Sequence, residues 1–244
     1  MKSTFVPSPG PRGQLAARAG AAAWILNAAQ FLVVQLIVGS RWRTPYSWKR
    51  NNISDLGNVH CRMWDESRPR YVCSPLHTLM NTSFVAQGVL LFTGVLLTGF
   101  AWGRGAMAWT ARILCVISAG GWVLVGMVPA DVNEDLHVLG ALLIMGLGNI
   151  GLLCAGCVRE DSVLGRLRAM TLGIAVTAML GAWMFFAQHG PGIGLGGMER
   201  VAAFAPQVWT LVMALAVLHA AEATTHRPVR CPGLDATPSA RRTE

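Results

Sequence analysis

The chain has 244 residues, 53% of them hydrophobic and 13% charged, with a mean hydropathy of +0.44. Soluble domains carry about 25% charged residues, so this composition excludes an ordinary soluble globular protein. The net charge of +8 calls for no nucleic acid, because basic residues flanking membrane spans meet anionic headgroups.

In chain order, residues 1–14 are rich in Pro and Gly and read as a disordered tail. Apolar runs without Asp, Glu, Lys or Arg then cover roughly 19–39, 76–103, 113–130, 136–158, 169–187 and 201–221. At about 1.5 Å per residue, each is long enough to cross a hydrocarbon core of about 30 Å. Lipid offers the backbone no hydrogen-bond partner, so such runs must be helical. The expected fold is all-α, a bundle of six transmembrane helices forming one membrane domain over 15–222, with a second disordered tail over 223–244. The first run, of about twenty residues, exceeds the core of a signal peptide (about 7–15) and reads as an uncleaved helix.

The loop of about 40–75 is the one large polar piece and should pack over the bundle as a cap. Its Trp42, Trp48 and Trp64 suit the headgroup level. Cys61 and Cys73 are the only cysteines in it, and an oxidising exterior permits a disulfide between them. The Cys154-x-x-Cys157 pair sits near the other end of its span with no second pair and no nearby His. It reads as helix packing rather than as a redox or metal motif. Placing the N-terminus inside puts twelve Lys and Arg residues on the inner side and eight on the outer. The acidic loop of 129–135 also favours the outside. The expected localisation is therefore the cell membrane, multi-pass, with both termini cytoplasmic and the cap outside.

The fifth helix carries Ala169, Gly173, Thr177 and Gly181, a small-residue ridge that permits close helix approach within the chain or in a homo-oligomer. The Gly-rich run from Gly190 to Gly197 follows no strand, so it is no phosphate loop. It reads as a flexible connection or a lid.

Polar clusters stand at the ends of the spans on the cap side. Ser74 reads as the N-cap of the second helix, with Pro75 at its first position. His77 then lies in the first turn, with Asn81 four residues on along the same face. The positive end of the helix favours a neutral imidazole there, suited to proton transfer or metal binding. The structural alternative is a histidine bonded to a loop carbonyl. Asp131 and Glu134 have capping-box spacing, and Asp135 adds favourable charge to the same turn. His137 follows Glu134 by three residues, the Glu-x-x-His spacing of carboxylate-bridged metal sites in bundles. Di-iron bundles use that motif twice and here it occurs once. The metal reading is therefore one divalent ion held by His77, His137 and one or two of Asp55, Asp131 and Glu134. Glu199 and Arg200 open the last helix, and Arg200 should pair with an acidic rim residue or an anionic headgroup. Gln207 lies deeper on the same face. Ser54 and Asp55 either join this rim or cap a short loop helix. At mid-depth the polar residues are Asn27, Gln30 and Gln87, and no charged side chain lies there, which counts against ion-coupled transport.

These clusters, in this order over six spans, resemble the bacterial and archaeal membrane family called domain of unknown function 998. The matching stretches are Ser54-Asp55-Leu56-Gly57, Ser74-Pro75-Leu76-His77 with Asn81, Asp131 to His137, and Glu199-Arg200, within residues 15–222. The resemblance implies a six-helix integral membrane protein and brings no activity with it. The rim is similar in style to membrane hydrolases of the alkaline ceramidase type. This chain has six spans rather than seven and lacks their terminal His-x-x-x-His pair.

Two functions remain open. One is binding of membrane lipid or a partner at the outer rim, with Arg200, Glu199, Asn81 and Asp131 as ligand-binding residues. The other is a membrane-embedded enzyme acting on a lipid or isoprenoid headgroup, with His77, His137, Asp55 and Glu134 as catalytic candidates and His77, His137 and Asp131 as metal candidates. The sharpest geometric expectation is that Asp55, His77, Asp131, Glu134, His137, Glu199 and Arg200 converge on one pocket. Arg200 should then touch at least one of the carboxylates.

Overall fold

A computed structural model of the protein describes residues 10–222. Six helices are long and apolar enough to cross a membrane: α1 (Pro11–Ser40), α2 (His77–Leu97), α3 (Ala106–Met127), α4 (Glu134–Gly156), α5 (Arg168–Phe186) and α6 (Gly194–Glu222). The protein is a multi-pass membrane bundle. The tail expected over 223–244, and the first nine residues of the other, lie outside the described residues. Residues 11–14 are already helical, with Pro11 at the start, where its missing N–H leaves no bond unmade.

Each helix packs on the next, and α6 returns to α1, so the six close into a ring. Aromatic side chains fill its centre. Toward the cap end, Phe31 meets Phe84, Trp122 and Phe204 at centroid separations of 6.2, 4.9 and 5.8 Å. Further from the cap, Trp24, Trp102 and Trp209 stand 5.8–6.1 Å apart. Amide side chains tie helices together at mid-depth. Asn27 Nδ2 donates to Gln207 Oε1 across α1 and α6 (2.7 Å), and Gln30 Nε2 donates to Gln87 Oε1 across α1 and α2 (2.8 Å). Such bonds between apolar spans add about 1 kcal/mol each and fix which faces meet.

α4 is not uniform. Regular turns over Glu134–Ala141 and Asn149–Gly156 flank a π-helical stretch, Leu142–Gly148.

Residues 41–76 form the cap. It holds a 3₁₀ turn (Ser54–Gly57) and a hairpin of β1 (Arg62–Trp64) and β2 (Arg70–Val72), antiparallel with Arg62 opposite Val72 and Trp64 opposite Arg70. Cys61 and Cys73 are joined by a disulfide that closes the base of this hairpin.

Three local expectations are corrected. Ser74 does not cap α2: the helix starts at His77 behind Leu76, and Ser74 Oγ instead donates to the Leu56 carbonyl (2.7 Å). The Asp131–Glu134 capping box is not formed either, because Asn133 Oδ1 takes the Leu136 N–H (3.1 Å) and caps α4. Gly194–Gly197 is no free connection but the first turn of α6. The cap main chain crosses that turn so closely that a Cβ on Gly196 would lie 2.2 Å from the Asn51 carbonyl oxygen. Gly194, at φ +72° and equally close to Lys49, has a backbone that favours glycine. The small-residue ridge of α5 divides: Gly181 packs on Val201 and Ala202 of α6, whereas Gly173 faces open space.

Candidate functional site

The cap is held by carboxylates and guanidiniums that the bundle and the hairpin point at each other. Asp55, fully buried in the 3₁₀ turn, accepts from Arg70 Nε (2.7 Å) and Nη2 (2.6 Å), a two-pronged pair. It also accepts from the Asn52 N–H (3.0 Å) and Asn51 Nδ2 (3.2 Å). Arg70 Nη1 reaches Asp65 Oδ2 (2.9 Å). Burial works against the charge on Arg70, but the hydrogen bonds and charges of Asp55 and Asp65 outweigh it and hold Arg70 above its usual pKa. Partial burial likewise opposes ionised Asp65, yet bonds from Ser67 and Arg70 hold its carboxyl below the usual value.

From beneath, α6 grips the same loop with two consecutive side chains. Glu199 Oε2 accepts the Ile53 N–H at 2.6 Å. Arg200 Nη1 donates to the carbonyls of Trp48 (3.1 Å), Asn51 (3.0 Å) and Gly196 (2.7 Å), and Nη2 donates to the Tyr46 hydroxyl. Its guanidinium lies 4.6 Å from the Trp48 ring centroid and 5.6 Å from that of Tyr46. Burial pushes the Tyr46 phenol well above its usual pKa despite the Arg200 charge beside it. Among the described residues, no carboxylate lies within ion-pair distance of Arg200. The expectation of such a contact is corrected: main-chain carbonyls, the Tyr46 hydroxyl and two ring faces take up Nη1 and Nη2, while the buried Nε has no hydrogen-bond partner among the described residues.

Asp131 anchors the third side of the cap. It accepts from the N–H groups of Val59 (3.0 Å) and His60 (2.7 Å) and meets His60 Nδ1 at 2.9 Å. Asn81 Nδ2 donates to the Gly57 carbonyl (2.9 Å). Both candidate histidines bond carbonyls through Nδ1, His77 to Ser74 (3.0 Å) and His137 to Val128 (2.7 Å). Glu134 is exposed.

The seven rim residues therefore do not converge on one pocket. Asp55, Glu199 and Arg200 hold one stretch of the cap, residues 46–53, Asp131 holds Val59 and His60, His77 turns to its own loop, and Glu134 faces out. Glu199 and His137 line a common cavity. The divalent-metal reading on His77, His137 and Asp131 loses its geometry in the same way. Among the described residues, no three His, Cys, Asp or Glu side chains are grouped to hold an ion.

Residues that sequence reasoning passed over do much of the holding: Tyr46, Asn51, His60 and Arg70. Spacing rules work within one helix, and these four lie on an irregular loop and a short hairpin, where no period relates Arg70 to Asp55.

Beside the cap, where it meets the turn before α6, lies an open groove of about 560 Å³. Lys49, Arg50, Arg68 and Arg70 line it together with Thr44, Asn51 and Gly190, and among the described residues no Asp or Glu does. Arg68 donates to the Arg50 carbonyl (3.0 Å) and to Asn52 Oδ1 (2.9 Å). Burial, and then the like charge of Arg70, hold its pKa below the usual arginine value. Cations gathered on a concave surface raise the positive potential there, and Asp55 and Asp65 offset part of it.

A family model, described as "Protein of unknown function (DUF998)", matches residues 14–216. The chain belongs to the DUF998 family. No curated protein and no solved structure matches it. The DUF998 match takes in the whole cap, all of α2 to α5, and the Glu199–Arg200 grip. The groove and the cavity beneath the cap thus lie wholly inside the family's own domain.

Proposed function

We propose that this DUF998 protein is a non-catalytic membrane binding protein that holds the anionic headgroup of a lipid in the groove beside its cap, on the outer face of the cell membrane. The observation that carries the reading is the groove, lined by Lys49, Arg50, Arg68 and Arg70 and, among the described residues, by no acid. Asp55 and Asp65 offset Arg70, and Asp65 also lies 3.6 Å from Arg68. Lys49 and Arg50 are exposed and complete the excess of positive charge. The groove sits where α6 begins, with Gly190 and Gly194 in its lining. The acidic side chains of the rim support a binding role over a chemical one: Asp55, Asp131 and Glu199 each hold cap backbone. The acid and base that chemistry would need, Glu199 and His137, line a different cavity.

The test is a titration of the purified full chain with short-chain anionic phospholipid, read by tryptophan fluorescence. Trp48 is next to Lys49 and stacks on Arg200, so it reports on the groove. Saturable binding is expected, weaker with zwitterionic lipid and weaker at high salt. The Lys49→Ala/Arg50→Ala double variant should lose about tenfold or more in affinity, or about 1.4 kcal/mol. Equal binding by wild type and variant, or no preference for anionic lipid, contradicts the reading.

A further inference from the structure

Glu199 on α6 and His137 on α4 are far apart in sequence and both buried, yet they line one cavity of about 40 Å³ beneath the cap. Ile53 and Ser54 of the cap are part of its lining, and the rest is apolar, including Phe84, Trp122 and Ile144. About 10–15 Å³ suffices for a water where two or more polar partners surround it. Those partners are at hand. A carbonyl only accepts, so His137 Nδ1, bonded to Val128, carries the ring hydrogen, and Nε2 of the neutral ring is left as an acceptor. Glu199 accepts from the cap at Oε2. The helix that brings His137 winds as a π-helix from Leu142, and Ile144 and Met145 of that stretch wall the cavity. Single π turns of this kind occur often at functional sites.

We propose that Glu199 and His137 form a buried acid–base pair that shares one proton through water held in this cavity. The step balances without any further reactant. The Glu199 carboxylic acid gives its proton to the bridging water, which passes one of its own to His137 Nε2. Carboxylate, imidazolium and water result. The charged and titratable groups acting on Glu199 are Arg200 of its own helix with Asp55, Arg68 and Tyr46 of the cap, and Asp131 acts on His137. From α2 and α3 the cavity receives only Phe84, Trp122 and Val125. The pair is independent of the groove and needs no ligand in it.

Infrared spectroscopy of the full chain tests this, in a detergent without ester carbonyls, by following the carboxylic acid C=O band against pH. Isotopic labelling of glutamate carboxyls separates the glutamate bands from those of aspartate, and Glu199→Gln should remove the band of the buried group. In His137→Gln the midpoint of that band should move by about one pH unit or more, the size that marks coupled groups. Ile144→Phe, which fills the cavity and leaves both titrating groups in place, should move it as well. Should Glu199→Gln fail to fold, the labelled wild type compared with the other two variants still decides. A midpoint unchanged in either variant, or no buried glutamate band at any pH where the chain stays folded, overturns the proposal.

Discussion

Arg70, which the sequence did not single out, ties the hairpin to the buried 3₁₀ turn of the cap. Its two-pronged contact with Asp55 leaves the side chains 10% and 1% exposed, so removing either partner strands a charge away from water. Breaking a buried pair from one side costs about 3–5 kcal/mol, so Arg70→Met should lower stability in denaturant titrations by that order. Arg50→Ala, at an exposed position, should stay within about 0.5 kcal/mol of wild type. Asp65 adds a pH dependence with a definite sign. Its carboxyl is held below the ordinary value, so its contribution is present above the unfolded pKa and fades as pH falls through the folded one. Proteolytic nicking of the hairpin should rise in acid across that window, and Asp65→Asn should flatten the rise. Sequence alone marked Asp55, Asp131, Glu199 and Arg200 as rim residues but misassigned their partners. The capping readings kept each carboxylate to its own helix end, whereas the backbone N–H groups that Asp131 and Glu199 take up belong to the cap, far away in sequence.

At the scale of elements, the spans were legible because length without charge leaves lipid-facing helices little alternative. The strands of the hairpin are three residues each and show no alternation to read. The π stretch of α4 carries no signal in its Leu- and Gly-rich sequence. Helix starts were misjudged where a capping side chain found a loop partner instead, as Ser74 does with Leu56. The glycines show what a helix pair needs. A Cβ on Gly126 would lie 2.6 Å from the Asn81 carbonyl oxygen on α2, while one on Gly173 would meet nothing within 4 Å. Gly126→Ala should therefore cost about 1–3 kcal/mol through overpacking. Gly173→Ala should gain about 0.5–1 kcal/mol of helix preference. Thermal unfolding of the two variants in one detergent checks the contrast.

For the whole molecule, six crossings bring the two ends of the described chain to the side opposite the cap. The proposed function takes the cap to face outward, the side that the count of basic residues favours. The central claim joins that topology to the site: an anion-binding groove open to the outside. Right-side-out membrane vesicles carrying Thr44→Cys, an exposed and uncharged position of the groove lining, with Cys154, Cys157 and Cys231 replaced by serine, test both parts at once with a membrane-impermeant maleimide. The account predicts labelling of position 44 in intact vesicles, suppressed by short-chain anionic phospholipid and restored by salt. Labelling only after the vesicles are broken, or labelling that anionic lipid leaves untouched, would contradict it.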